Sequence, residues 1–181
     1  MITVLLAMAL RFIHGYELNR LKEYYRGIVG ELGETEHRLV SEDPDQLIVW
    51  LEGDEIVGHA IWHTSNTAAH PRGEPREDED RRILEEALRV KGDFVELHEV
   101  WLRETSRGRG HGSAFFAYFE SMAKSRGFRQ VVYYADNPAA LAICRARGYR
   151  EAWGVALDGI RGQGGRFYVL AKELTEESGV I

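Results

Sequence analysis

The stretch Arg107-Gly108-Arg109-Gly110-His111-Gly112 lies between a β-rich run, Phe94 to Leu102, and a helical pattern that begins near Ser113. A strand that passes through a glycine-dense turn into a helix restricts the fold more than any other feature of this chain, because it calls for a sheet with a helix packed on it. It also makes an anion site. The first N–H groups of a helix have no helical partners and point outward, and the helix dipole adds partial positive charge there. Glycines leave the backbone open to a phosphate, and Arg107 and Arg109 add charge-assisted donors. The plain alternative is an exposed turn.

At 181 residues, with 44% hydrophobic and 29% charged residues, the chain has the balance of one ordinary globular domain. Residues 1–174 are expected to form that domain and 175–181 a frayed tail. The single cysteine, Cys144, excludes an intrachain disulfide and a multi-cysteine metal site, and no metal ligands are expected. A net charge of −6 argues against nucleic-acid binding. Yet Arg103 to Arg109 and Arg145 to Arg150 are locally basic, which suits a small polyanion. The apolar run Met1 to Leu10 has no basic residue before it, no cleavage pattern after it, and falls short of the ~20 residues that span a bilayer. It reads as a first buried strand, and a cytoplasmic location is expected.

Along the chain, apolar spacing predicts a helix from Tyr16 to Val29, with a break at Gly33. Leu47 to Leu51 and Glu55 to His63 read as a hairpin turned by Glu52-Gly53-Asp54. Ser65 to Glu79 reads as a loop of about fifteen residues, long for a compact domain, and Asp80 to Val90 as a short charged helix. After the strand Phe94 to Leu102, Phe115, Phe119, Met122 and Ala123 keep helical spacing to Gly127. Gln130 to Tyr134 is a strand, and Asn137 opens a helix that stops at Gly148. Tyr149 to Leu157 and Arg166 to Lys172 read as an antiparallel pair joined by Asp158 to Gly165.

Two phosphate motifs fare differently against the glycine turn. The nucleotide P-loop needs Lys-Ser/Thr after its last glycine, and Ser113-Ala114 stands there. The dinucleotide fingerprint would place Ser113 at its third small position and Asp136 at its acidic one, so it stays open, although it normally occupies a chain's first strand-helix unit.

Arg107-x-x-Gly110-x-Gly112 resembles the pyrophosphate-loop motif of the GNAT family of N-acetyltransferases, set between a strand and a helix as in that family. Asn137-Pro138-Ala139-Ala140 through Arg147-Gly148-Tyr149 resembles the family's later helix, and the hairpin with Ile56-Val57-Gly58 its second and third strands. The resemblance spans roughly Leu47 to Leu170. It implies an α/β (α+β) fold with a central mixed, mostly antiparallel sheet flanked by helices on both faces.

The resemblance also implies an enzyme that transfers an acetyl group from acetyl-CoA, as co-substrate, directly to an amine. The loop Arg107, Gly108, Arg109, Gly110, His111, Gly112, with Ser113, would bind the pyrophosphate of coenzyme A. Val100, Trp101 and Leu102 would pair with the pantetheine arm through their backbone, and Asn137 would reach its far end, or simply cap its helix. Glu99 is the expected general base, with Glu96 and His98 behind it. The position where many members carry a tyrosine holds Cys144, which leaves Tyr133 and Tyr134 as the nearest hydroxyls to serve the departing thiolate. That substitution keeps a second reading open, a catalytically silent acyl-CoA-binding sensor. The expected partner is a small-molecule or peptide amine, with neither nucleic acid nor membrane, and a homodimer is left open. Tyr24, Trp62, His63, Trp101 and Trp153 are candidates to line the acceptor pocket, and each is also a good core residue.

Overall fold

A computed structural model describes residues 9–28, 33–69, 75–135, 137–153 and 168–174. Its strands are β1 (Leu10–His14), β2 (Leu47–Glu52), β3 (Glu55–Asn66), β4 (Asp93–Leu102), β5 (Gln130–Ala135), β6 (Arg150–Trp153) and β7 (Tyr168–Glu173). Its helices are α1 (Leu18–Ile28), α2 (Glu34–Glu42), α3 (Pro75–Arg82), α4 (His111–Ser125) and α5 (Pro138–Ala146). Among the described residues the strands form one sheet in the order β1-β2-β3-β4-β5-β7-β6. β4 pairs with β5 in parallel, and β1–β2, β2–β3, β5–β7 and β6–β7 are antiparallel, the mixed and mostly antiparallel sheet expected. No helix among the described residues is long and apolar enough to cross a membrane.

The chain groups into two compact units, and β3 and β4 each run from one into the other. The first comprises the residues up to Trp62 together with Glu99–His111. Its core is built on β2, where Leu47 to Leu51 are all buried, the continuous apolar run of a strand covered on both faces. Leu21 of α1 and Val40 of α2 pack onto Leu47, Val49, Leu51 and Ile61. The β2–β3 register slips by one between Trp50↔Gly58 and Leu51↔Ile56, so Val57 is the extra residue of a β-bulge. The Val57 carbonyl then accepts from the Arg103 amide at 2.7 Å, just beyond the end of β4.

The second unit comprises His63–His98 and the residues from Gly112 onward. Phe94, Val132, Val169 and Ala171 pack with Ile83, Leu84, Leu88 and Val90. The helical spacing of Phe115, Phe119, Met122 and Ala123 is a buried stripe of α4, and the Phe115 and Phe119 rings stack at 5.7 Å. At the end of α5 the Gly148 amide bonds to the Arg145 carbonyl and the Tyr149 amide to that of Cys144. This paired closure stops the helix and feeds Tyr149 against Phe116.

Several boundaries differ from the sequence expectation. β1 is Leu10–His14 and shares only Leu10 with the expected Met1 to Leu10 strand, of which Met1 to Met8 lie outside the described residues. Helix α2 follows the break at Gly33, where no element was expected. The Ser65 to Glu79 loop is largely structured: β3 continues to Asn66, a short 3-10 turn covers Thr67–Ala69, and α3 begins at Pro75. The helix is charged throughout its first two turns, so apolar spacing gave no sign of it, but proline suits the first helical turn. The expected Asp80 to Val90 helix widens into a π-turn over Ile83–Ala87, with the Leu88 amide bonding to the Ile83 carbonyl at 3.0 Å. Asp136, the link Asp158 to Gly165 and the tail Thr175 to Ile181 lie outside the described residues.

Candidate active site

The loop after β4 is shaped by hydrogen bonds before it reaches the glycines. A 3-10 turn over Glu104–Ser106 follows Arg103, and the Arg107 Nε donates back to the Leu102 carbonyl at 3.2 Å. Gly108 and Gly110 then take φ of 73° and 83°, the left-handed region that favours glycine, and α4 starts at His111. The first-turn N–H groups of α4 are therefore presented at the end of a tight turn, an anion cradle. Arg109 is spoken for: its guanidinium grips Glu52 of the hairpin at 2.8 Å and 2.5 Å, and the His111 Nε2 lies 3.7 Å from the same carboxylate. Gly112 meets a packing constraint as well, since a Cβ there would lie 2.8 Å from the Ile143 Cδ1 on α5. Arg107 is exposed, with its Nε on the Leu102 carbonyl.

Glu99 lies on β4 with its Oε1 3.2 Å from the Nε2 of His59 on β3. His59 is fully buried and its ring lies against Trp101, 6.0 Å between centroids and 18° between planes. Trp101 also meets Tyr24 edge-on at 5.6 Å. Sequence reading missed His59. The available signal was a histidine inside the apolar run Ile56 to Trp62, because a buried polar side chain on a strand needs a partner.

The second-choice bases, Glu96 and His98, belong to a different cluster. The Glu96 Oε1 is 3.4 Å from the His63 Nε2 and 3.8 Å from the His98 Nδ1. Burial alone would raise the Glu96 pKa, but the two histidines outweigh it and take it down to about 2. Burial lowers His63, and Glu96 more than restores it, to above its ordinary value.

The remaining candidates divide cleanly. The Asn137 Oδ1 caps α5, accepting from the Ala139 and Ala140 amides at 2.8 Å and 3.4 Å. Cys144 is fully buried, and burial, reinforced by Glu120, pushes its thiol up to about 12. It stays protonated at neutral pH and is a poor nucleophile. Tyr134 donates to the Asp80 carboxylate at 2.9 Å, and Tyr133 is buried against Phe116. Of the candidate pocket residues, Trp62 is buried and donates to the Asp45 carbonyl, whereas Trp153 is 58% exposed beside Tyr168.

The model of the Acetyltransferase (GNAT) family matches residues 14–149. No curated protein matches the sequence. Among solved structures, the chain is similar to the polyamine N-acetyltransferase of Drosophila melanogaster, at 13% identity and a TM-score of 0.68, over 91% of this chain and 99% of that one. It is similar to an arylalkylamine N-acetyltransferase-like protein of mosquito at 13% identity and a TM-score of 0.67, over 91% and 99%. It is also similar to a putative acetyltransferase from Salmonella typhimurium, solved with its cofactor acetyl-CoA, at 18% identity and a TM-score of 0.62, over 95% and 96%. At these identities the likeness is one of fold.

Proposed function

We infer from one premise, that this chain belongs to the Acetyltransferase (GNAT) family of acetyl-CoA-dependent N-acetyltransferases, that it acetylates a small-molecule or peptide amine by direct attack, with Glu99 as the base. The observation that carries the reading is the pairing of Glu99 with buried His59. An amine attacks only when neutral, so a positioned proton acceptor is required. His59 holds the carboxylate in one orientation and is a positioning residue in this scheme.

The cofactor set is assigned to Arg107, Gly108, Arg109, Gly110, His111, Gly112 and Ser113 for the pyrophosphate, and to Val100, Trp101 and Leu102 through their backbone for the pantetheine arm. The left-handed turn and the start of α4 fit a diphosphate, with Arg107 as the charged donor and Arg109 holding the loop to Glu52. Asn137 uses its Oδ1 for the cap, so its amide N–H groups are the part of the side chain offered to the cofactor.

When bound, acetyl-CoA supplies the activated carbonyl. The new N–C bond forms as the C–S bond breaks, the amine's proton passes to Glu99, and the departing thiolate is balanced by a proton from Glu99 through solvent. Buried Cys144 and the Asp80-bound Tyr134 are given no part in it. We also propose a cytoplasmic location.

The test is an acetyl-CoA assay across amino acids, polyamines, aminoglycosides and peptide N-termini, with Glu99→Gln alongside. Glu99→Gln should lower kcat by about 10²–10⁴-fold and remove the limb of the pH profile that reports the base. An unchanged rate and profile would remove Glu99 from the chemistry. Coenzyme A binding without turnover of any amine would make the chain a silent sensor instead.

A further inference from the structure

We propose that His63, Glu96 and His98 form a binding site for a borderline transition-metal dication, of which Zn²⁺ is the type. One ligand atom from each residue lies within 4.8 Å of the other two. His63 comes from β3, and Glu96 and His98 come from β4 at the two-residue spacing that puts them on one face. All three side chains are partly accessible, at 22%, 18% and 25%, so an ion can reach them from water.

The hydrogen-bond pattern favours a cation. The His63 Nδ1 is 3.1 Å from the Thr64 carbonyl, which can only accept, so Nδ1 carries the hydrogen. In the neutral ring the Nε2 lone pair therefore faces the Glu96 Oε1 at 3.4 Å. Lone pair against carboxylate is repulsive unless a proton or a metal ion lies between them. A ligating histidine whose other nitrogen donates to a backbone carbonyl is the usual support for a metal site.

The distances separate those two occupants. Separations of 3.4 Å and 3.8 Å are longer than the 2.7–3.2 Å of an N–H···O bond. Ligands bound at about 2.0–2.1 Å in a tetrahedral array sit about 3.3 Å apart. The His63–Glu96 edge already has that length, the Glu96–His98 edge must close by about 0.5 Å and the His63–His98 edge by at most about 1.5 Å, a movement that rotation of the partly exposed His98 ring supplies. Two imidazoles and one carboxylate suit zinc, cobalt or nickel and are a poor set for calcium or magnesium, which take oxygen ligands. Three protein ligands leave a fourth position open to water or a small ligand. The sequence gives no hint of this, because thirty-three residues separate His63 from Glu96 and no metal motif has that spacing.

The proposal is independent of the acetyl-transfer reading. Its test is titration of the metal-free full chain with Zn²⁺ by calorimetry and with Co²⁺ by visible absorption. One ion per chain is expected, with the intense d–d bands of a low-symmetry four-coordinate cobalt site that Zn²⁺ abolishes. His63→Ala and His98→Gln should each weaken binding at least about 100-fold, Glu96→Gln should do the same, and His37→Ala, a change on α2, should leave it unchanged. Circular dichroism melts confirm that each variant is folded, and the volume-conserving His98→Gln serves where His63→Ala is not. Absence of saturable binding of either ion, or binding that survives His98→Gln, would overturn the site and leave a protonated ion pair.

Discussion

Gly58→Ala isolates how closely β3 and β4 approach beside the proposed base. A Cβ at position 58 would lie 2.6 Å from the Trp101 carbonyl oxygen and 2.9 Å and 3.1 Å from two ring atoms of Trp50. Ordinary contacts need about 3.5 Å or more, so the deficit is roughly 0.5–0.9 Å on two sides. Neither neighbour can swing away. The first is backbone, and the second is a fully buried indole held edge-on by Phe12 at 5.8 Å. The strand must therefore move, at a cost of about 1–3 kcal/mol, which for a chain of this size lowers Tm by about 4–8 °C at the middle of that range. The moved segment carries Glu99 and the Val100–Leu102 backbone. A displacement approaching 1 Å there should reduce kcat/KM by about 10–100-fold. Thermal unfolding and steady-state acetylation read both effects, with Gly112→Ala as the comparison for unfolding alone. Ala at 112 meets only the tip of Ile143, which can turn, so it should cost under about 1 kcal/mol. A Gly58→Ala protein with unchanged Tm and kcat/KM would refute the argument.

Three further outcomes are expected. Glu120 is buried and pairs with Arg147 at 2.8 Å and 2.9 Å and with Lys172 at 2.6 Å. Burial pushes its pKa up, but the two cations outweigh this and hold it below the ordinary value. It therefore contributes stability above the unfolded-state pKa that is lost as pH falls through the folded one. Glu120→Gln should cost about 2–3 kcal/mol at neutral pH and flatten the acid side of a Tm–pH curve, and an unaltered curve would deny the network its weight. Native Cys144 should resist thiol reagents at neutral pH and react once the protein is unfolded, with rapid native labelling counting against its burial. Asn137→Ala should lose about 1 kcal/mol of helix capping. Asn137→Asp, which keeps the acceptor but not the amide donors, should hold Tm and raise the KM for acetyl-CoA if the amide meets the cofactor. Equal KM values would reduce Asn137 to a cap.

What could be read from the sequence was whatever local spacing encodes. The β2–β3 hairpin, β4, the glycine turn, α4 and α5 each carry their signal in adjacent residues: alternation, a turn, a stripe of phenylalanines, an Asn-Pro start. α2 and the first turns of α3 carry none, because Glu34 to Glu42 has only Leu39 and Val40 as apolar residues and Pro75 to Arg82 is charged apart from its proline. The bulge at Val57 was hidden for another reason. It is a property of register between β2 and β3, visible only when the strands are paired. The Arg109–Glu52 clasp was equally out of reach, since fifty-seven residues separate the two and an arginine in a phosphate loop reads first as a phosphate ligand.

The two carboxylates of β4 make the same point in chemical form. Glu96 and Glu99 are three residues apart on one strand, and sequence alone ranks them only by position. Their surroundings assign different work. Glu96, drawn to about 2 by His63 and His98, is too weak a base to take a proton from an amine near neutral pH, and it is the carboxylate of the proposed metal site. Glu99 lies beside His59, which is fully buried and packed against Trp101. A directional partner holds a carboxylate in one orientation, which is what a positioned base requires. Residues on β3, His59 and His63, four apart along that strand, make the difference, so the chemistry of β4 is set by its neighbour rather than by its own sequence.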